Sequence, residues 1–348
     1  MDILNLATVI TPNILYADVK EPTRGDRDDT FSYNACIVIQ QFMEAADALW
    51  TVPDAVIVFL RDNSSEFVES TTELNTKELL RRCDKQLNGA KSVPEPDTKP
   101  PLVIVHGLFG SKQNWRAIAK QLCRTLDRPT YTVDQRNHGD SPHLGPHTYT
   151  AMSSDLVRFI NDHQLGPVVL LGHSMGGKTV MQTTLERPDL VSQLIVDDIA
   201  PMRLDMAHDF ATYVEKLKYI ERMDIKSQSQ ADAMLQEVEP DISVRQFLLT
   251  NMKKDRETGA YRSRIPLQLL GDSLQSVMDW DVEGKSYEGP TLFIGGERSL
   301  HIREKAFPCM KKCFPNYELE MLDTGHWVHA EMPREFMQLV EEFVIRHS

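Results

Sequence analysis

The chain has 348 residues, 41% of them hydrophobic and 26% charged, and its formal net charge at pH 7 is −13. That composition is ordinary for a globular protein, and the length allows one large α/β domain with insertions or two domains. The acidic balance argues against a nucleic-acid partner or an anionic-membrane surface, and no apolar run approaches the roughly eighteen residues a membrane span needs.

Residues 1–99 carry the weakest pattern and are read as an N-terminal extension of uncertain structure. Asp2 stands where a secretory signal would be positive, and Asp26, Asp28 and Asp29 fall where a mitochondrial presequence avoids acids, so neither signal is read. Asn34 to Trp50 and Glu73 to Leu87 have helical spacing, and Ala55 to Leu60 reads as a strand. No residue cluster there suggests chemistry. Pro94, Pro96, Pro100 and Pro101, interleaved with charges, mark a linker or entry loop.

From residue 100 to 348 the pattern becomes regular and predicts one main domain. Strands are expected at Leu102 to Val105, Thr130 to Asp134, Val168 to Leu171, Leu194 to Asp198, Thr291 to Ile294 and Glu318 to Leu322. Helices are expected at Asn114 to Leu126, Ala151 to His163, Lys178 to Glu186, Ile302 to Cys313 and Arg334 to Arg346. Strands alternating with helices imply a mostly parallel sheet covered on both faces, with ligands gathering at the carboxyl ends of the strands. Residues 201–285 interrupt this alternation with helical patterns at Leu204 to Met223, Ser229 to Val238 and Asp241 to Met252, and are read as a helical lid. Met206, Phe210, Tyr213, Phe247 and Leu248 are its weak pocket candidates; ordinary packing explains each of them as well. Five scattered cysteines (Cys36, Cys83, Cys123, Cys309, Cys313) show neither a metal clip nor a disulfide framework, which predicts no metal, no cofactor and a reducing, intracellular compartment.

The chemistry centres on Gly172-His173-Ser174-Met175-Gly176, placed between an apolar strand and a helix. In that context Gly-x-Ser-x-Gly is a nucleophile elbow: the corner is so tight that its flanking residues must be small, and the serine oxygen is pushed out at the sheet edge. A serine hydroxyl needs a base, and the base needs an orienting carboxylate. His326, in a Gly-His-Trp loop after the last strand, is favoured as the base over His329, which falls nearer the final helix. For the acid, Asp198 at the end of the strand after the elbow helix is chosen over Glu297 in the loop after the next strand. Strand alternation forbids Asp197 and Asp198 from both facing the histidine. The oxyanion hole is assigned to the amides of Met175 and Leu108, with Phe109 next, and His106 to bracing the Gly107-Gly110 loop. Asp134 to Ser141 reads as a structural network around Arg136 and His138.

His106-Gly-Leu-Phe-Gly-Ser111, Asn114-Trp115, Asp134-x-Arg-Asn-His-Gly-x-Ser141, Gly172-His-Ser-Met-Gly-Gly-Lys178 and Gly325-His-Trp327 resemble one branch of the α/β-hydrolase superfamily. It is the branch of abhydrolase domain-containing protein 11 and its fungal relatives, including yeast ethanol acetyltransferase. The resemblance runs from about Pro101 to the carboxyl terminus. It implies an α/β-hydrolase fold, a triad aspartate at Asp198, serine esterase or thioesterase activity, transfer of the acyl group to an alcohol in some members, and a mitochondrial location. The sequence is thus expected to encode a carboxylic ester hydrolase working through an acyl-enzyme on a small acyl ester or thioester. The alternatives are an alcohol O-acyltransferase using the same triad and a non-catalytic binding protein on the same fold. Oligomeric state is not read.

Overall fold

The computed structural model describes residues 99–204, 207–280, 282 and 284–348, with backbone alone at 207–209. The helices, strand and linker expected before residue 99 lie outside the described residues. In chain order, β1 (Leu102–Val105) leads to α1 (Arg116–Thr125), β2 (Thr130–Val133), α2 (Tyr149–Asp162), β3 (Val168–His173), α3 (Met175–Glu186) and β4 (Val191–Asp197). An insertion follows, made of α4 (Ala207–Arg222), α5 (Gln228–Leu235), α6 (Ile242–Leu249), the strands β5 (Met252–Lys254) and β6 (Tyr261–Ser263), α7 (Leu267–Asp272) and α8 (Leu274–Met278). The chain then closes with β7 (Thr291–Gly296), α9 (Phe307–Cys313), β8 (Tyr317–Leu322), α10 (Val328–Glu331) and α11 (Pro333–Arg346).

Six strands form one sheet in the order β2-β1-β3-β4-β7-β8, every neighbouring pair parallel. Its inner strands β1, β3, β4 and β7 are buried and largely apolar because both faces are covered, whereas the edge strands β2 and β8 mix polar residues in. Val103, Val105, Leu170, Leu194, Val196 and Phe293 pack on the side of α2 and α3; Leu102, Ile104, Val169, Leu171, Ile195 and Leu292 pack on the side of α1 and α11. The two sets alternate along each strand, as the two-residue period of a strand requires. α1 meets its face through Ile118, Ala119 and Leu122, and α11 through Phe336, Val340 and Phe343. Their polar faces look outward, so they read as amphipathic. α3 does not: every residue from Met175 to Leu185 is buried, since the insertion covers the side that would otherwise meet solvent.

Three local departures from the sequence pattern have identifiable causes. Asp241 precedes α6 rather than starting it, because its carboxylate accepts from the Ser243 amide at 2.7 Å and caps the helix. The helix expected from Ile302 begins as a 3-10 turn at Glu304–Ala306 and becomes α9 only at Phe307; the residues before it turn into the sheet edge. β5 and β6 pair antiparallel inside the insertion, and three-residue strands such as Met252-Lys253-Lys254 are too short to show a period. Among the described residues, no helix is long and apolar enough to cross a membrane.

Candidate active site

Parallel strands bring β1, β3, β4 and β7 to the same edge at their carboxyl ends, and four non-regular segments start there. Three of them hold a non-glycine residue with positive φ, Ser174 (φ 53°) and Asp198 (φ 46°) at the very start and Phe109 (φ 61°) four residues past β1. Each such residue costs about 1–3 kcal/mol, and such strain gathers where side chains must be aimed. At the elbow, the Ser174 amide still extends the ladder by donating to the Asp197 carbonyl at 3.0 Å, after which the chain reverses into α3. The reversal presses Gly176 against β1: a Cβ there would lie 2.3 Å from the Val105 carbonyl oxygen. A Cβ on Gly172 would lie 2.4 Å from the Gly176 carbonyl oxygen. At both ends of the motif the nearest neighbour of a Cβ would thus be backbone, which cannot step aside as a side chain can.

Ser174, His326 and Asp198 lie in hydrogen-bonding sequence. The Ser174 hydroxyl is 3.0 Å from His326 Nε2, and His326 Nδ1 is 2.7 Å from Asp198 Oδ2. A carboxylate only accepts, so the imidazole carries its proton on Nδ1 and its lone pair faces the serine. Burial, with His329 nearby, pushes the imidazole down to about 3, so it stands neutral and able to take a proton. Burial raises the Asp198 carboxyl, and His301, the Ser299 hydroxyl and the Gly296 amide oppose that rise. Gly296 N–H donates to Asp198 Oδ1 at 3.0 Å, and Ser299 Oγ donates to Oδ2. The first support is the last residue of β7 and the second comes from the loop after it. Glu297 in that same loop is exposed, and only its backbone is tied down, its amide to Leu322 and its carbonyl to Arg303. The end of β7 and its loop thus supply hydrogen bonds to the carboxylate that β4 delivers.

Met175 opens α3, where an amide has no intrahelical carbonyl to meet, and it sits beside the serine. On the β1 loop, the Phe109 amide is engaged, donating to His138 Nε2 at 3.1 Å. No bond from the Leu108 amide occurs among the described residues. That separates the two candidates: Leu108 has the free donor. His138 in turn donates from Nδ1 to the Arg136 carbonyl at 3.1 Å, so the histidine of the β2 loop holds the β1 loop in place. His106 also braces this region, through Gln135: the Gln135 amide donates to its Nε2 at 3.1 Å and the Gln135 side chain to its carbonyl at 2.8 Å. Gly107 passes directly over His173; a Cβ there would meet His173 Nδ1 at 2.7 Å. Arg136 pairs with Asp155 and the Pro146 carbonyl, a structural arrangement.

Asp197 and Asp198 point to opposite sides, as alternation demands, yet each finds a histidine of the segment after β8: His326 in the loop and His329 in α10. Asp197 Oδ2 is 2.6 Å from His329 Nδ1. His329 is therefore not a surface group: it is 6% exposed and stacks on Trp115 with ring centroids 4.1 Å apart. Burial pushes the Asp197 carboxyl up to about 8, so it holds its proton near neutrality. Beside this pair, His173 Nε2 donates to the His326 carbonyl at 2.9 Å and fixes the backbone of the histidine facing Ser174. Two trios, His173–Asp197–His329 and Asp198–His301–His326, hold possible metal-ligand atoms within 4.8 Å of one another.

Above Ser174 a narrow recess of about 10 Å³ is lined by Leu108, Met175, Ile199, Phe210 and Val277 among others, with Tyr149, Lys178 and His301 as its further polar groups. Of the pocket candidates read from sequence, Phe210 lines it, Met206 lies outside the described residues, and Tyr213, Phe247 and Leu248 are not in its wall. Lys178, Tyr149 and His301 were not anticipated. Lys178 is fully buried, its Nζ donating to the Met278 and Asp279 carbonyls at 2.9 Å each, while the Tyr149 hydroxyl donates to Val277 O at 2.5 Å. Three consecutive carbonyls at the end of α8 are thereby pinned to α2 and α3. Burial lowers the Lys178 ammonium to about 7.

Residues 100–333 match the family model described as alpha/beta hydrolase fold. A zebrafish (Danio rerio) protein named sn-1-specific diacylglycerol lipase ABHD11 is 39% identical over 70% of this chain and 78% of its own length. A probable alcohol acetyltransferase of Saccharomyces cerevisiae is 36% identical over 75% of this chain and 82% of its own. Among solved structures, a marine microorganism esterase superposes with a TM-score of 0.66 at 36% identity, covering 71% of this chain and 96% of its own.

Proposed function

The chain belongs to the alpha/beta hydrolase fold family, and from that premise we propose that it is a serine-dependent acyl hydrolase acting on a small acyl ester or thioester. The observation that carries the reading is the unbroken sequence of hydrogen bonds Ser174–His326–Asp198, at 3.0 and 2.7 Å. Ser174 Oγ attacks the carbonyl carbon while His326 Nε2 takes its proton. The amides of Leu108 and Met175 receive the negative charge that builds on the carbonyl oxygen, each donor contributing on the order of 3 kcal/mol to lowering the barrier. His326 then returns the proton to the leaving group. Asp198 keeps the imidazole in the required tautomer and stabilises its charged form. Water resolves the acyl-enzyme by the same steps in reverse order.

In this reading residues 201–285 are a lid, with Lys178 and Tyr149 holding its last turn closed over the recess. A second reading, alcohol O-acyltransferase with the same triad, is favoured by the 36% identity to the yeast protein named for that reaction. The mitochondrial location implied by the resemblance belongs to the same proposal and is read out by a carboxyl-terminal fluorescent fusion; exclusion from mitochondria would remove it. The activity is tested by fluorophosphonate labelling of the purified full chain. Wild type is expected to be modified and Ser174→Ala not; a folded wild type that stays unlabelled would defeat the proposal. Product analysis on short-chain acyl esters and acyl-CoA, with and without ethanol, then separates esterase, thioesterase and transferase.

A further inference from the structure

His301 belongs to neither the elbow nor the histidine loop, yet it stands beside both. Its ring lies on that of His326 with centroids 3.6 Å apart and planes 15° from parallel. Both Nδ1 atoms approach the same carboxylate oxygen, Asp198 Oδ2, at 2.7 Å for His326 and 3.6 Å for His301. For His326, the other ring nitrogen, Nε2, faces Ser174 at 3.0 Å. His301 lines the recess with Ser174, and with its Nδ1 turned to Asp198 and Ser299 the ring nitrogen left over is Nε2.

The hydrogen-bond network also decides what that nitrogen offers. Ser299 Oγ gives its single proton to Asp198, so at His301 Nδ1, 3.0 Å away, it acts as acceptor. His301 Nδ1 is therefore the protonated nitrogen and Nε2 carries the lone pair. No described residue donates to that lone pair. Burial and the adjacent His326 push the ring down to about 2, so the acceptor persists across the working range of pH.

We infer that His301 is a specificity-determining residue which favours water over an alcohol as the nucleophile that resolves the acyl-enzyme. The inference rests on the acyl-enzyme reading proposed above. In that step the nucleophile's oxygen bonds to the acyl carbon, its proton passes to His326 Nε2, and the bond from carbon to Ser174 Oγ breaks as that proton is returned to the serine. Water has a second O–H, which it donates to His301 Nε2; the product is the free acid. An alcohol has only the one hydroxyl proton, and its alkyl group is turned toward the His301 acceptor, leaving a buried lone pair unpaired; the product is a new ester. Sites that hydrogen-bond one competitor and strand a polar group with the other discriminate far better than apolar ones.

The test compares wild type, His301→Phe, His301→Leu and His301→Gln on p-nitrophenyl acetate at a fixed ethanol concentration, with ethyl acetate and acetate both quantified. Phenylalanine keeps the stacked ring and its volume but removes the acceptor. The ratio of ester to acid is expected to rise about tenfold in His301→Phe, with the same direction in His301→Leu. His301→Gln, which restores an acceptor oxygen, is expected to return the ratio toward wild type. Because both products come from one acyl-enzyme and one triad, a general loss of Asp198 support cancels from the ratio. An unchanged ratio in either apolar variant that is still labelled by fluorophosphonate overturns the inference and leaves the hydrolase reading intact. An unlabelled wild type overturns both.

Discussion

Asp198→Asn is expected to lower kcat by about four orders of magnitude, whereas Glu297→Gln leaves it within twofold or so. Every group around the Asp198 carboxylate is a donor: Gly296 N–H at Oδ1, and the Ser299 hydroxyl and His326 Nδ1–H at Oδ2. An asparagine supplies one oxygen where two are required. With its oxygen kept on Gly296, the amide NH2 faces His326 and forces the ring to carry its proton on Nε2, pointing at Ser174. A base in that tautomer cannot take the serine proton. Glu297 faces solvent and its side chain touches none of this. Steady-state rates on a short p-nitrophenyl ester, with thermal unfolding recorded alongside, decide it: activity surviving in Asp198→Asn but lost in Glu297→Gln would move the acid to the β7 loop.

Acidification from pH 7 to pH 5 is expected to remove several kcal/mol of stability, a large share of the roughly 5–15 kcal/mol typical of a domain. Seven histidines are held neutral by burial. Their ordinary value of 6.5 falls to about 4 at His147, about 3 at His173, His326 and His329, and about 2 at His301, and it is lowered at His106 and well lowered at His138. Between those values and 6.5 the unfolded chain binds protons that the folded chain refuses. Stability therefore falls as pH drops through 6.5 and continues to fall until the folded rings titrate. At pH 5 one such ring corresponds to about 2 kcal/mol. Asp197, pushed up to about 8, works the other way: the folded chain holds a proton that the unfolded chain releases, so this group gains stability on acidification. Asp198, raised by burial as well, works in the same sense, but two carboxyls do not offset seven rings. Urea midpoints measured at both pH values are the readout, and an equal or higher midpoint at pH 5 would show that the rings are charged in the folded state.

Both expectations depend on groups whose importance was unevenly visible in the sequence. The strand-to-helix context of Gly-x-Ser-x-Gly identified Ser174, because a tight corner restricts residue types within five adjacent positions. His326 was legible from its place after the last strand, and Asp198 from its place at the end of the strand beside the elbow. Ser299 and His301 were not. They sit in the loop searched for an acid, and nothing in Glu297-Arg298-Ser299-Leu300-His301 announces that it is the serine and histidine that turn inward. The Asp197–His329 pair was half legible: alternation correctly separated the two aspartates, but pairing across 132 positions has no local trace. His138 looked like one member of a polar cluster, and only its contact with the Phe109 amide shows that it holds the loop offering the Leu108 donor.

What the sequence determined by itself was therefore what short-range physics constrains. This covers the alternation of apolar strands with amphipathic helices, the small residues at the elbow, and the placing of reactive side chains at strand ends that a parallel sheet must gather on one edge. What the tertiary structure alone decided was direction and company: which of two adjacent carboxylates meets His326, which amide of the β1 loop stays free, and which nitrogen of His301 keeps its lone pair. Those choices rest on hydrogen bonds between residues far apart in the chain. A buried polar group must find its partner wherever the fold places one. The recess over Ser174 shows the same division, since Lys178 reads as one more helix residue until the carbonyls of Met278 and Asp279 close over it.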